Sequence, residues 1–423
     1  MTRVRHATIA AALVLSMAGA GTALAAPQQG SAAAPAAASL DAKGVQLELP
    51  RPTGPYAVGR NTLHLVDASR RDHWVPTAGA RELMVSMYYP ARPGTGTPSP
   101  YMTTNEARLL LEYQDLDKLI PATVLSGTRT HSALGARPAH GRFPLVVLSP
   151  GFTAPRSTIT ALAEELTSRG YVVATVDHAY EAVGVTFPGG RTLPCTACDS
   201  AQGTGQIADG RAKDLSFVLD RLTGRHPAWR YARMIDPRRI GMGGHSIGGA
   251  STAATMALDR RIRAGVNMDG AFATAPTAAG LGGRPFMMLG TEAGHSPGSK
   301  DTTWDRAWSN LDGWKRWVTV AGSGHFAFTD LPVLGAQLGL SDPEDPLPGK
   351  RAGEITRDYV GAFYDLHLRG IAQPLLDGPS PQNPEVELHS PSWARRSHVV
   401  YVAGVALWRG AVRARWNVRA LPA

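Results

Sequence analysis

The sequence predicts an α/β fold with a mostly parallel central sheet and helices on both faces. Three observations support this expectation. Short, wholly apolar runs such as Leu145-Val146-Val147-Leu148 recur along the chain, as strands buried on both faces require. Between them lie runs with apolar residues at helical spacing, as in residues 157–169 with Ile159, Leu162 and Leu166. The composition, 43% hydrophobic and 18% charged over 423 residues, is enough for a large core and excludes disorder over most of the length.

From about Val45 the elements follow in order. Residues 62–66 and 83–89 read as the first two strands, rich in β-branched, aromatic and long apolar side chains. Residues 102–122 are more helical, with Ala107, Leu109, Leu110 and Leu111 preceding Tyr113, Leu116, Leu119 and Ile120. Then βα units recur. Residues 145–148 form a strand, 157–169 a helix, 171–176 a second buried strand and 212–222 a second helix. Residues 239–243 lead through a turn into a small-residue helix at 250–258, and residues 264–268, 285–289 and 317–320 complete the strand set. Strands alternating with helices imply parallel pairing with crossovers on both faces.

Charge separates the ends from the body. The formal net charge is +9, from 43 Lys and Arg against 34 Asp and Glu. Arg3 and Arg5 near the start, and Arg395, Arg396, Arg409, Arg413, Arg415 and Arg419 near the end, account for all but one of those charges. The nearly neutral body gives no support to nucleic-acid binding. Residues 1–25 read as a secretory signal: two arginines, an apolar run from Ala7 to Ala18, and Ala23-Leu24-Ala25 as a cleavage site. Residues 26–44 read as a flexible Ala/Pro-rich lead, 45–390 as a single α/β domain, and 391–423 as a basic, poorly ordered extension. The extension carries Trp393, Trp408 and Trp416, so transient contact with a lipid surface is a further expectation for it. No obligate protein partner is expected.

The chemistry centres on Gly244-His245-Ser246-Ile247-Gly248-Gly249. A Gly-x-Ser-x-Gly between strand and helix is the nucleophile elbow of α/β-hydrolases. Ser246 must occupy a turn so tight that larger flanking side chains collide with the backbone, and the helix that follows favours developing negative charge. Gly294-His295-Ser296-Pro297-Gly298 matches the same pattern but is rejected, because Pro297 cannot donate an N–H to an oxyanion and no helix-like run follows. A serine nucleophile needs a base and an orienting carboxylate, in the order Ser, acid, His. His325, in the glycine-rich turn after the last strand, is the expected base. Asp269 and Glu292 each follow a strand and can each supply the acid, with Asp269 preferred. Ser149-Pro150-Gly151-Phe152 stands where the second oxyanion donor belongs, so the N–H groups of Phe152 and Ile247 are the expected pair. His245 is not expected to be the base. His178 and His367 are read as structural, and Trp304, Trp308 and Trp314 as packing residues. The insert at about 100–140 is expected to cover the pocket.

With these residues assembled, the chain resembles the bacterial branch of the platelet-activating-factor acetylhydrolase family. The likeness runs from about Leu49 to Leu388. It rests on Leu49-Pro50-Arg51-Pro52-Thr53-Gly54-Pro55-Tyr56, Arg81-Glu82-Leu83-Met84-Val85, Leu148-Ser149-Pro150-Gly151-Phe152, Asp177-His178, the elbow, Asp269-Gly270, Gly324-His325-Phe326 and the late segment 363–370. The resemblance implies an α/β-hydrolase fold with the acid after the strand that follows the elbow, which favours Asp269. It also implies no metal or cofactor, and a lipid or other small ester as substrate, above all short acyl groups at position two of glycerophospholipids. General lipases and esterases, polyester or cutin hydrolases, and a non-catalytic binding protein of the same fold are the alternatives. Two cysteines cannot build a disulfide scaffold. In an exported chain Cys195 and Cys198 are expected to pair locally.

Overall fold

The computed structural model describes residues 44–390 and the backbone of the two-residue strand Asn417–Val418. The predicted signal segment, nearly all of the lead and most of the basic extension lie outside these residues. Asn417–Val418 pairs antiparallel with Leu340–Ser341. No helix among the described residues is long and apolar enough to cross a membrane.

Eight strands form the body of one sheet: β1 (Ala57–Arg71), β2 (Ala80–Ala91), β3 (Phe143–Ser149), β4 (Val172–His178), β5 (Ile235–His245), β6 (Ile262–Met268), β7 (Phe286–Thr291) and β8 (Lys315–Val320). Their order in space is β1-β2-β4-β3-β5-β6-β7-β8. β1, β2 and β4 are joined antiparallel, and every pair from β4 to β8 is parallel. Short strands at Ser132–Leu134 and Thr97–Pro98 extend the sheet beyond β1, and Val386–His389 pairs antiparallel outside β8.

The longer helices among the described residues are α1 (Thr104–Tyr113), which lies in the insert, and α2 (Thr160–Ser168), α3 (Thr204–Thr223), α4 (Ile247–Leu258), α5 (Thr303–Asn310) and α6 (Gly349–Arg369), which flank the sheet. Successive strand residues point to opposite faces, so an all-apolar strand feeds two cores. On β3, Leu145 and Val147 join Leu215 and Val218 of α3, Met256 of α4 and Trp304 of α5. Val146 and Leu148 join Leu162 and Leu166 of α2 with Tyr359 and Phe363 of α6. Each such side chain is stabilised by roughly 1.5–3 kcal/mol on burial. The parallel strands thereby become the rigid part of the molecule, and the candidate site lies at their C-terminal ends.

The insert, read as helical over 102–122, is helical only in part. α1 opens on a capping box, Thr103 with Glu106, and stops at Tyr113. Asp115 then turns the chain at φ 59°, and a separate short helix occupies Ala122–Ser126. Leu110, Leu111, Leu116 and Leu125 build a small core of their own with Leu47, Leu49 and Leu334.

The junction of β5 and α4 is tight. Ser246 stands at φ 54°, ψ −125°, outside the usual range for a side-chain-bearing residue. A Cβ on Gly248 would lie 2.0 Å from the Ser149 carbonyl oxygen, and one on Gly244 would lie 2.4 Å from the Gly248 carbonyl carbon. Both obstacles are backbone and cannot rotate away. Gly248→Ala is therefore expected to cost ~1–3 kcal/mol or more and to displace Ser246. A Gly248→Ala protein with wild-type denaturant midpoint and activity would contradict this packing.

Candidate active site

Four strand ends place the site. Ser246 stands at the tip of the β5–α4 turn, its N–H donating to Met268 O at 2.7 Å. Asp269 follows β6 and its N–H donates to Leu289 O at 2.8 Å. The turn at Asp269, φ 58°, is closed by Asn267, whose Nδ2 donates to Gly270 O at 2.7 Å and whose Oδ1 accepts from Gly270 N at 2.9 Å. His325 opens the 3₁₀ turn His325–Phe328 after β8. Thr153, Tyr180, Ser246 and Asp269, all non-glycine residues at positive φ, stand in the loops directly after β3, β4, β5 and β6. Such conformations cost of order 1–3 kcal/mol each and persist only where the surroundings impose them.

The residues expected as nucleophile, base and acid are brought into one line. His325 Nε2 is 3.0 Å from Ser246 Oγ, and His325 Nδ1 is 2.6 Å from Asp269 Oδ2. Burial alone would raise the Asp269 carboxyl, but hydrogen bonds from His295 and His325, and their charges, hold it below the ordinary carboxylate range. An ionised Asp269 only accepts, so His325 donates through Nδ1 and presents the Nε2 lone pair to the serine. The His325 side chain is about one-third exposed (31%), whereas Asp269 is buried. Glu292, the alternative acid, is exposed at the start of a short helix, Glu292–His295. Ser296 donates its hydroxyl to Glu292 O at 2.7 Å.

The loop after β3 lies against the nucleophile: a Cβ on Gly151 would be 3.6 Å from Ser246 Cβ. Phe152 and Ile247 share one apolar cluster. Among the described residues neither of their N–H groups has a hydrogen-bond partner. The loop is held from the side, with Thr153 N donating to Glu181 O and Val183 N to Thr153 O. It is also held from below. Arg211 of α3 donates to Pro150 O at 2.5 Å, to Ser149 Oγ at 3.1 Å and to Glu181 Oε2 at 2.7 Å. Arg81 binds Asp72, Glu181 and Asp214, all with almost no solvent exposure. His178 joins Asp214 Oδ2 at 2.8 Å to Ser149 Oγ at 3.0 Å. Burial opposes ionisation of both carboxyls, yet the Arg81 charge and the bond from His178 hold Asp214, and the Arg211 and Arg81 charges hold Glu181, below their ordinary values. Burial and the Arg211 charge push His178 down, so it supports Ser149 as a neutral ring.

These ionic partners escaped the sequence reading, as did His295. One signal was present. Arg211 and Asp214 interrupt the apolar stripe Ala208, Ala212, Leu215 and Val218 of α3, at positions the helical period assigns to the core. His295 was hidden in the rejected 294–298 motif. It bonds Asp269 Oδ1 through Nδ1 at 2.6 Å and stacks on Trp304 with centroids 4.3 Å apart. Trp304 is therefore more than a packing residue of its helix, since it backs the acid. His245 does not bond Ser246: it donates Nε2–H to His325 O at 2.7 Å. Burial and the neighbouring His325 push it down to about 3, so it braces the loop as a neutral ring. His367 packs between Trp314 and Phe363. Cys195 and Cys198 are joined by a disulfide, and Cys195 packs on the cluster containing Ile247. Tyr101, Met102 and Glu106 of the insert, with Arg60, Arg156 and Phe187, line a cavity of about 320 Å³; Ser246 does not line it.

The family model described as platelet-activating factor acetylhydrolase, isoform II, matches residues 42–188, a span that holds β1 to β4 and ends before Ser246. A probable 1-alkyl-2-acetylglycerophosphocholine esterase of Arthroderma benhamiae is 29% identical over 379 residues, covering 80% of this chain and 92% of the relative. The solved ferulic acid esterase from Streptomyces cinnamoneus is 46% identical with a TM-score of 0.73, covering 82% of this chain and 100% of that one. A bis(hydroxyethyl) terephthalate hydrolase of Streptomyces coelicolor is 36% identical over 112 residues, 26% of this chain and 28% of that protein. Fold and relatives together define a carboxylic ester hydrolase of the α/β-hydrolase class. Within that class, the chain is similar to the platelet-activating-factor acetylhydrolase family, through the match at residues 42–188 and the 29% identical relative.

The buried charges beneath the loop make a direct test. Arg211→Met leaves Glu181 Oε2 and the Pro150 carbonyl without that donor while Arg81 still faces Glu181, so denaturant unfolding should show a loss of about 1–3 kcal/mol. An unchanged unfolding free energy would show that Arg211 is dispensable to the loop.

Proposed function

We propose that this protein is a secreted serine esterase that works through an acyl-enzyme, with Ser246 as nucleophile, His325 as general base and acid, and Asp269 as orienting carboxylate. The observation that carries the reading is His325 bridging Ser246 Oγ and Asp269 Oδ2 through its two nitrogens. Ser246 Oγ attacks the ester carbonyl carbon as its proton passes to His325 Nε2. The carbonyl oxygen becomes the oxyanion, which the N–H groups of Phe152 and Ile247 receive. Asp269 stabilises the imidazolium formed. Collapse breaks the carbon–alkoxide bond, and His325 delivers the proton to the departing alcohol. Water then attacks the acyl-serine with His325 again as base, releasing the acid and restoring Ser246. Export rests on the residue pattern at 1–25, and the Cys195–Cys198 disulfide suits an oxidising compartment.

For substrate we infer a lipid ester, short acyl groups at position two of glycerophospholipids, on the strength of the family. A second reading, esters of aromatic acids, draws on the likeness to the two Streptomyces hydrolases. Purified mature protein, with Ser246→Ala as blank, should be assayed on an sn-2 acetyl glycerophospholipid, a short-chain neutral glyceride and a feruloyl ester. Preference for the phospholipid supports the first reading; preference for the feruloyl ester replaces it with the second. Preference for the glyceride makes the enzyme a general lipase or esterase. A fluorophosphonate should label wild type and not Ser246→Ala. Asp269→Asn should lower kcat by roughly 10⁴-fold through the wrong imidazole tautomer, whereas Glu292→Gln should remain near wild type. A lethal Glu292→Gln with a mild Asp269→Asn would reassign the acid.

A further inference from the structure

Asp269 holds two histidines. Its Oδ2 accepts from His325, whereas its Oδ1 accepts from His295 Nδ1 at 2.6 Å and from Thr291 N at 2.7 Å. The far nitrogen of His295, Nε2, faces Asp301 Oδ2 at 3.2 Å. Ionised carboxylates only accept, and an imidazole donates through both nitrogens only when it is protonated. His295 between Asp269 and Asp301 therefore has the partners of an imidazolium. Three further contacts set the ring: Trp304 stacks on it with an interplanar angle of 19°, Trp317 Nε1 donates to His295 O at 2.7 Å, and Trp304 Nε1 donates to Gly270 O beside Asp269. A cation over an indole face is a favoured arrangement. The His295 side chain is only 10% exposed.

We propose that His295 is a positioning residue, held as an imidazolium on the far side of Asp269, which orients the carboxylate and places a positive charge beside the Asp269–His325 pair. The inference rests on the Ser246–His325–Asp269 reading. The ion pair leaves Asp269 free to rotate toward neither neighbour, because one oxygen is committed to each ring.

The electrostatics around the two rings agree. Burial works against a charged His295, but hydrogen bonds to Asp269 and Asp301, and their charges, raise it to about 9. Asp301 stays below its ordinary value: burial would raise it, and the bonds from His295 and Thr303 outweigh that. The titratable groups that face His325 are Asp269 from the β6 loop, His245 from the end of β5 and Asp345 from the segment before α6. His245 is neutral above about 3. Asp345 lies against Gly324 and is raised to about 6 by burial and by Asp342, Glu344 and Asp269, so it titrates in the same range as an ordinary histidine.

The test is the pH profile of kcat/KM for wild type and His295→Gln, each also carrying Asp345→Asn so that the neighbouring carboxyl is removed. His295→Gln removes the positive charge next to Asp269. The acid limb should move up by about one pH unit, so that the deficit of the variant grows as pH falls. A limb that stays in place while activity drops equally at all pH values would overturn the charge role and leave only packing. Should the variant fail to fold, imidazole nitrogen NMR of the wild-type protein decides: His295 should be doubly protonated at pH 7, and a neutral ring there would overturn the proposal. Activity persisting in Ser246→Ala would instead sink the underlying assignment of the site, a different result from an unmoved limb.

Discussion

The approach of α4 to the end of β3 governs the site. Gly248 lies so close to the Ser149 carbonyl that no side chain fits, and Gly244 faces Gly248 at similar range. This contact forces the reversal at Ser246 into positive φ and lifts the hydroxyl clear of the sheet. It also sets Ile247, at the free N-terminus of α4, beside the loop that carries Phe152. Everything the serine needs from its neighbours follows from that one turn. It is maintained by the ladder bond from Ser246 N to the end of β6 and by the two apolar clusters that clamp β3, β5 and β6. A strained turn costs free energy on its own, and the large core offsets that cost.

A second constraint is electrostatic. Arg70, Arg81 and Arg211 face Asp72, Glu181 and Asp214 beneath the loop, with His178 and Ser149 completing the hydrogen-bonded chain. Replacing such a network wholesale by apolar residues is often neutral for stability, whereas breaking it is costly. Its value here is geometric. Arg211 can satisfy Pro150 O, Ser149 Oγ and Glu181 only in one placement of the loop, so the network selects the arrangement in which the Phe152 region abuts Ser246.

What could be read ahead of the structure was whatever obeys a short-range rule. β3 to β8 were legible because strands buried on both faces read as apolar runs, and β1 and β2 because of their β-rich composition. The edge strands at 97–98, 132–134 and 386–389 were not, since two to four residues at a sheet margin carry no period. The insert was over-read as one helical stretch because Leu116 and Ile120 continue an apolar spacing that the turn at Asp115 interrupts. Candidate roles for Ser246, His325 and Asp269 came from local spacing and chain order, and the three side chains do meet. His295 carried no such mark: its significance depends on Asp269, 26 residues away, and Asp301, which only the folded loops bring to its two nitrogens.

By itself, then, the sequence determined the sheet-and-helix alternation, the elbow and the chain order of the groups around it, because these depend on backbone sterics and on apolar periodicity within a few residues. Tertiary structure alone decided which carboxylates face which cations. Arg81 meets Asp214 across 133 residues and Arg211 meets Glu181 across 30. A charge buried at a core position demands a partner, but chain spacing does not name it, and only the packing of distant loops supplies one.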